Sequence, residues 1–132
     1  MIEAGHMSPI IKVGNLDSLR TWADVRDAVR AYYLLVTSNP QPGEYYNIGG
    51  AHTCSVGEML EYLISLSTSK NIKIQVDPGR LRPIDADLQI PDTTKFKTHT
   101  GWQPVIPFQK TMQDLLNYWR QKIQSGGIYL SR

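Results

Sequence analysis

Apolar positions along this chain switch repeatedly between a run or alternating pattern and a helical one. Ile10-Ile11-Lys12-Val13 is a short apolar run closed by Gly14-Asn15, which predicts a strand and a turn. From about Asp24 onward, Val25, Ala28, Val29, Tyr32 and Val36 recur at helical spacing and predict an amphipathic helix. It should stop before Asn39-Pro40, because proline has no N–H to continue the ladder. Tyr45-Tyr46-Asn47-Ile48 predicts a second strand that runs into Gly49-Gly50.

Ser55-Val56-Gly57-Glu58 has the spacing of a capping box, in which Ser55 and Glu58 each satisfy a backbone N–H at a helix start. Cys54 before the cap and Met59 after it can close a hydrophobic staple, and Val56, Met59, Leu60, Leu63 and Leu66 form the expected buried stripe. Ile72, Ile74 and Val76 alternate with Lys73 and Gln75, predicting a half-buried strand over 72–76. Asp92 can cap a short helix ending near Gly101. A last helix over about 108–124 carries Phe108, Met112, Leu115, Leu116, Trp119 and Ile123 on one face and stops at Gly126-Gly127. Strand, helix, strand, helix, strand and two helices predict a small α/β layer. The expected sheet is parallel or mixed and flanked by helices, in a single domain over 1–132.

Composition narrows the setting. A chain of 132 residues with 41% apolar side chains buries roughly two-thirds of its unfolded surface without disulfides or metal. Fourteen basic and twelve acidic residues are interspersed with a net charge of +2, so no basic stripe offers itself to nucleic acid. The lone Cys54 has no partner for an internal disulfide, and nothing resembles a signal peptide or membrane span, which points to a reducing, cytoplasmic setting. His52 and Cys54 stand two apart near a helix start, but no further ligands cluster with them, so no metal site is expected. Trp22, Trp102 and Trp119 read as core residues.

Three ordered segments carry a family resemblance. The first is Val13-Gly14-Asn15-Leu16-Asp17, followed by Arg20-Thr21-Trp22 and Val25-Arg26-Asp27. The second is Gly43-Glu44-Tyr45-Tyr46-Asn47-Ile48-Gly49. The third is Arg80-Leu81-Arg82-Pro83-Ile84-Asp85, continuing through Asp92-Thr93-Thr94-Lys95 to Thr100-Gly101-Trp102-Gln103-Pro104. Together with Thr111, Leu115-Leu116 and Tyr118-Trp119-Arg120, they resemble the C-terminal, substrate-binding part of extended short-chain dehydrogenase/reductases. The nearest likeness is to GDP-mannose 4,6-dehydratases and GDP-6-deoxy-mannose reductases. Gly5-His6-Met7 could be taken for the remnant of an expression tag, but the likeness runs through it from Ile2. The resemblance therefore implies native sequence that starts part-way through such an enzyme.

The resemblance implies a GDP-sugar ligand. Arg20 and Arg82 match family positions that contact the diphosphate, for which a planar, permanently charged fork is well suited. Asp85 matches an acidic position near substrate hydroxyls, although a salt bridge to Arg80 or Arg82 serves equally well. Asn15 can donate to substrate or simply occupy a turn. Thr21 stands where the family usually has aspartate, which weakens the expected local support of Arg20.

The family's complete enzymes use NADP, yet no Gly-rich dinucleotide turn occurs here, so no cofactor site and no catalytic residue is expected in this chain. The string Tyr118 to Lys122 has the Tyr-x-x-x-Lys spacing of the family's catalytic pair, but it lies on the last helix and reads as a packing tyrosine near a solvated lysine. The expectation is a sugar-nucleotide-binding part that is catalytically incomplete alone. Two alternatives stay open: half of an enzyme completed in trans by a separate Rossmann chain, and an assembly module that keeps the fold without binding. A homodimer is expected, joined near Ile2 to Pro9 or the Arg20 segment, because surface covered by the cofactor half would otherwise be exposed.

Overall fold

The structure, a computed structural model, describes residues 1–82 and 86–126. The chain opens with strand β1 (Ile10–Val13), then β2 (Leu19–Trp22) and helix α1 (Val25–Thr37). Strand β3 (His52–Ser55) runs straight into α2 (Val56–Ser65), and β4 (Lys73–Val76) follows. A 3-10 turn (Pro78–Arg80), the short β5 (Leu88–Gln89), α3 (Thr94–Thr100) and α4 (Phe108–Gln124) complete it. The strands form two small sheets: β1 pairs with β4 in parallel, and β2 lies between antiparallel β3 and parallel β5.

Local chemistry accounts for most element ends. The Asp24 carboxylate accepts the Arg26 N–H at the start of α1. At α2 the capping box is complete: Ser55 Oγ accepts the Glu58 N–H at 3.0 Å and Glu58 Oε2 accepts the Ser55 N–H at 2.7 Å. Cys54 and Met59 meet in one cluster, as a staple requires. Gly101 closes α3 with φ of 70°, a left-handed conformation that glycine adopts without Cβ strain. Asp92 accepts the Thr94 N–H at 2.9 Å one residue before the helix's own N-cap, Thr93.

Two hydrophobic clusters hold the elements together. Ala31, Phe96 and Trp102 pack with Leu34, Leu35, Tyr46 and Ile48, joining α1 to α3. Cys54, Phe108 and Met112 pack with Trp22, Met59, Tyr62, Leu63 and Leu66, joining the β2–β3 sheet to α2 and α4. Asp27 is buried between α1 and the α3–α4 connection, accepting the N–H groups of Val105 and Ile106.

Three expectations about the elements are corrected. Residues 45–48 form no strand: Tyr46 and Ile48 pack into the first cluster while Tyr45 stays 84% exposed, so alternation there reflects a one-sided loop. The strand lies at His52–Ser55 instead, after Gly50, where a Cβ would come within 1.6 Å of the Trp22 carbonyl oxygen. The stripe of α1 faces outward: Val25, Val29, Tyr32 and Val36 are 72%, 59%, 62% and 67% exposed, while Asp27 and Ala31 are buried. Strand β4 is exposed along its length rather than half-buried. Strands β2 and β5 had no apolar run to announce them, and they form by pairing.

Beneath β1 lies an open apolar groove of about 1050 Å³, walled by Leu60, Ile64, Leu116, Trp119 and Ile123 together with the N-terminal segment. Trp119 is therefore a groove residue, 39% exposed, rather than core. The N-terminal segment is tied to its own chain. Glu3 forms a two-bond ion pair with Arg120 at 2.8 Å each and accepts from Ser67 Oγ and the Thr68 N–H.

Candidate functional site

Strand β2 carries Arg20 in the middle of the three-stranded sheet, opposite Cys54 on β3 and Gln89 on β5. Its Nη1 donates to the Ala86 carbonyl at 2.5 Å and to the Leu19 carbonyl at 3.2 Å, while the Leu19 N–H donates to the Asp87 carbonyl at 2.8 Å. The segment leaving residue 86 is thus stitched to β2 by the Leu19 N–H and the Arg20 side chain. The guanidinium is oriented by Ala86 rather than by residue 21: Thr21 instead pairs its hydroxyl with Thr53 across the strands at 3.0 Å. The departure from aspartate at that position leaves Arg20 supported by another route.

Beside Arg20 opens a shallow pocket of about 490 Å³. Arg20, Thr21, Asn47 and Gln89 supply its polar wall, and Leu88, Ile90 and Pro91 its apolar one. Arg82 is exposed and lies four residues before Ala86, so chain geometry keeps the two within about 14 Å. Asp85 lies outside the described residues. Asn15 serves a turn: its carboxamide donates to Ser18 Oγ and accepts the Asp17 N–H, both at 2.9 Å. That turn abuts the third segment, since a Cβ on Gly14 would stand 2.6 Å from the Arg80 carbonyl oxygen. The structure therefore joins Arg20 to residues 86–89, and the Asn15 turn to Arg80.

Asn47 and Gln89 were not singled out from sequence. Asn47 sits in what reads as a strand, and Gln89 follows no motif. They reach Arg20 only through the β2–β5 pairing and the loop that packs Tyr46 and Ile48.

Other suspicious groups resolve into scaffold. His52 stacks on Phe108 with ring centroids 4.3 Å apart. Burial, helped by the nearby Glu58 charge, pushes the Cys54 thiol up, the opposite of a reactive thiolate. Among the described residues no cluster of three metal-ligating side chains occurs, and no helix is long and apolar enough to cross a membrane. Tyr118 is half-exposed rather than packed, with the Lys122 ammonium 5.5 Å from its ring centroid. The Val25-Arg26-Asp27 motif likewise has structural duty. Arg26 bridges Asp24 and Asp114, and Arg30 pairs with Asp27 and donates to the Gln103 carbonyl. Hydrogen bonds from Arg26 and Thr111 outweigh burial and hold the Asp24 carboxyl well below the usual range.

The family description GDP-mannose 4,6 dehydratase matches residues 1–115. The chain belongs to that family. Among curated relatives it is 25% identical over 114 residues to the GDP-6-deoxy-D-mannose reductase of Pseudomonas aeruginosa, covering 86% of this chain and 37% of that protein. It is 30% identical to the GDP-mannose 4,6-dehydratase of Sinorhizobium fredii, over 71% of this chain and 31% of the relative. It is 32% identical to the dTDP-glucose 4,6-dehydratase of Escherichia coli, over 93% and 37%. The chain thus spans about a third of the length of the curated relatives it matches. Its fold superposes on the P. aeruginosa enzyme RMD complexed with NADPH with a TM-score of 0.81 at 22% identity, covering 92% of this chain and 39% of that one. The UDP-glucose 4-epimerase of Bifidobacterium longum in complex with NAD+ and UDP gives 0.76 at 21% identity, covering 95% and 38%. The fold is the expected α/β part of an extended short-chain dehydrogenase/reductase.

Proposed function

We propose that this chain is the sugar-nucleotide-binding part of a GDP-mannose dehydratase- or reductase-like enzyme, with a GDP-sugar as its ligand. Arg20 and Arg82 bind the diphosphate, and Asp85 accepts from substrate hydroxyls. The observation that carries this reading is the Arg20 guanidinium, aimed by the Ala86 carbonyl at the edge of a polar-walled pocket. An oriented guanidinium loses little further freedom on binding, and phosphate oxygens match its fork. Asn15, spent on its turn, is a positioning residue for the adjoining segment.

In this reading no cofactor site is assigned to these residues. In dinucleotide-binding folds the cofactor pyrophosphate sits at a helix N-terminus with N–H groups on offer. At the β3–α2 junction the capping box takes two of those groups and places the Glu58 carboxylate there, which repels an anion. These residues do not fit NADP, and no hydride step is assigned to them.

Chemical-shift titration of the purified chain with GDP-mannose tests the reading. Expected is a Kd on the order of 0.1–1 mM, because the ligand is enclosed on one side only. Arg20→Ala and Arg82→Ala should each weaken it tenfold or more, the value of about 1.5–3 kcal/mol for a charge-assisted hydrogen bond. Equal binding by wild type and both variants overturns the assignment.

A second reading, completion in trans by a cofactor-bearing chain, is favoured by the outward apolar stripe of α1, which a partner would cover. A second copy of this chain is the other occupant that stripe fits, through a different face from the Ile2–Pro9 or Arg20 segments where a homodimer is expected from the sequence to join.

A further inference from the structure

The pocket beside Arg20 has a wall that binding a diphosphate does not require. Parallel pairing of β2 with β5 sets Gln89 directly against Arg20, so both side chains leave the sheet on one face, about 5 Å apart at their bases. Asn47 lines the same pocket. A cation is thereby flanked by two neutral carboxamides, with aliphatic Leu88 and Ile90 completing the rim.

That combination has a definite chemical preference. A carboxamide both donates and accepts, as does every hydroxyl of a pyranose ring, whereas phosphate calls for donors alone and an amine for acceptors. A purine is held by stacking on an aromatic ring or a guanidinium plane; among the described residues no aromatic side chain lines this pocket, and its one guanidinium, Arg20, is assigned to the diphosphate. Aliphatic side chains suit the C–H face of a sugar. At about 490 Å³ the space falls within the range of small-ligand sites.

From this juxtaposition we infer that Gln89, together with Asn47, reads the hexose hydroxyls of the sugar nucleotide and sets which sugar is accepted. The inference rests on the reading of Arg20 as the diphosphate anchor: the sugar lies on the Gln89 side of Arg20, and the nucleoside on the other. Gln89 is a specificity residue here, with no part in bond making.

Titration of the whole chain with GDP-mannose and with GDP separates the two claims. Gln89 is exposed, so Gln89→Leu leaves the core untouched. Wild type should bind GDP-mannose several-fold tighter than GDP. Gln89→Leu should erase that preference by weakening GDP-mannose about five- to tenfold while leaving GDP unchanged, and Arg20→Ala should weaken both ligands alike. A preference that survives Gln89→Leu, or a loss that falls equally on GDP, overturns the hexose assignment and leaves the diphosphate reading standing. Failure of wild type to bind either ligand sinks the diphosphate reading, and this one with it.

Discussion

The buried carboxylate of Asp27 accepts the backbone N–H of Ile106 at 2.9 Å, across 79 residues of sequence. The same oxygen accepts the Val105 N–H at 3.0 Å, Arg30 pairs with the other, and the Trp102 indole donates to the Asp27 carbonyl at 3.2 Å. One acidic residue in a helix thus satisfies two loop amides and closes α1 against the α3–α4 connection. Burial alone would raise its carboxyl, but hydrogen bonds from Arg30, Ile106 and Val105 outweigh it and hold the group below the usual carboxylate range.

Removing that carboxylate should unseat the connection. Asp27→Ala takes the acceptor from the Val105 and Ile106 N–H groups and the partner from Arg30, and a loss of about 3 kcal/mol is expected in urea denaturation. A loss below about 1 kcal/mol would mean that water replaces the carboxylate, and the clamp would then be incidental.

Acid should weaken the N-terminal anchor. The Arg120 guanidinium holds the Glu3 carboxyl at about 2, against an ordinary 4.5. A carboxyl lowered on folding contributes stability that is present above its unfolded value and disappears as pH falls through the folded one. Here that window runs from about pH 5 down to about pH 2, and the difference corresponds to about 3 kcal/mol. Glu3→Gln should remove this acid-sensitive portion while destabilising the chain at neutral pH. Identical pH profiles for the two proteins would show that the ion pair contributes nothing.

Gly50→Ala should be among the costliest single-methyl additions in the chain. The new Cβ would meet the Trp22 carbonyl oxygen at 1.6 Å, and backbone there cannot yield without breaking the β2–β3 pairing. The expected result is loss of cooperative unfolding near room temperature, read by circular dichroism. Gly101→Ala, with open space around its Cβ, should cost only about 1 kcal/mol, from its left-handed φ. A reversed order would refute the steric argument.

The α1 stripe should govern association. Val25, Val29, Tyr32 and Val36 follow a four-three-four spacing on the exposed side of a 13-residue helix, the geometry of helix pairing. Light scattering across a tenfold concentration range should show a dimeric mass that Val29→Glu reduces to monomer. A monomeric wild type throughout would sink the expectation of self-association.

Elements whose residues satisfy one another locally were legible before any coordinates. The Ser55–Glu58 box, the Gly101 stop and the bounds of α4 depend on neighbours within a few positions, and each stands where the sequence puts it. The ordered motifs likewise sufficed for the family. Which face of a helix turns inward is a different matter. Periodicity reports that α1 has an apolar side, but Ala31 and a paired Asp27 won the interior because Trp102, Phe96 and two unsatisfied loop amides wait there, and the larger apolar stripe was left outside. Strands β2 and β5, and with them the pocket that sets Gln89 beside Arg20, carry no local signature. They exist because backbone groups distant in sequence satisfy one another, and only the folded chain brings those groups within reach.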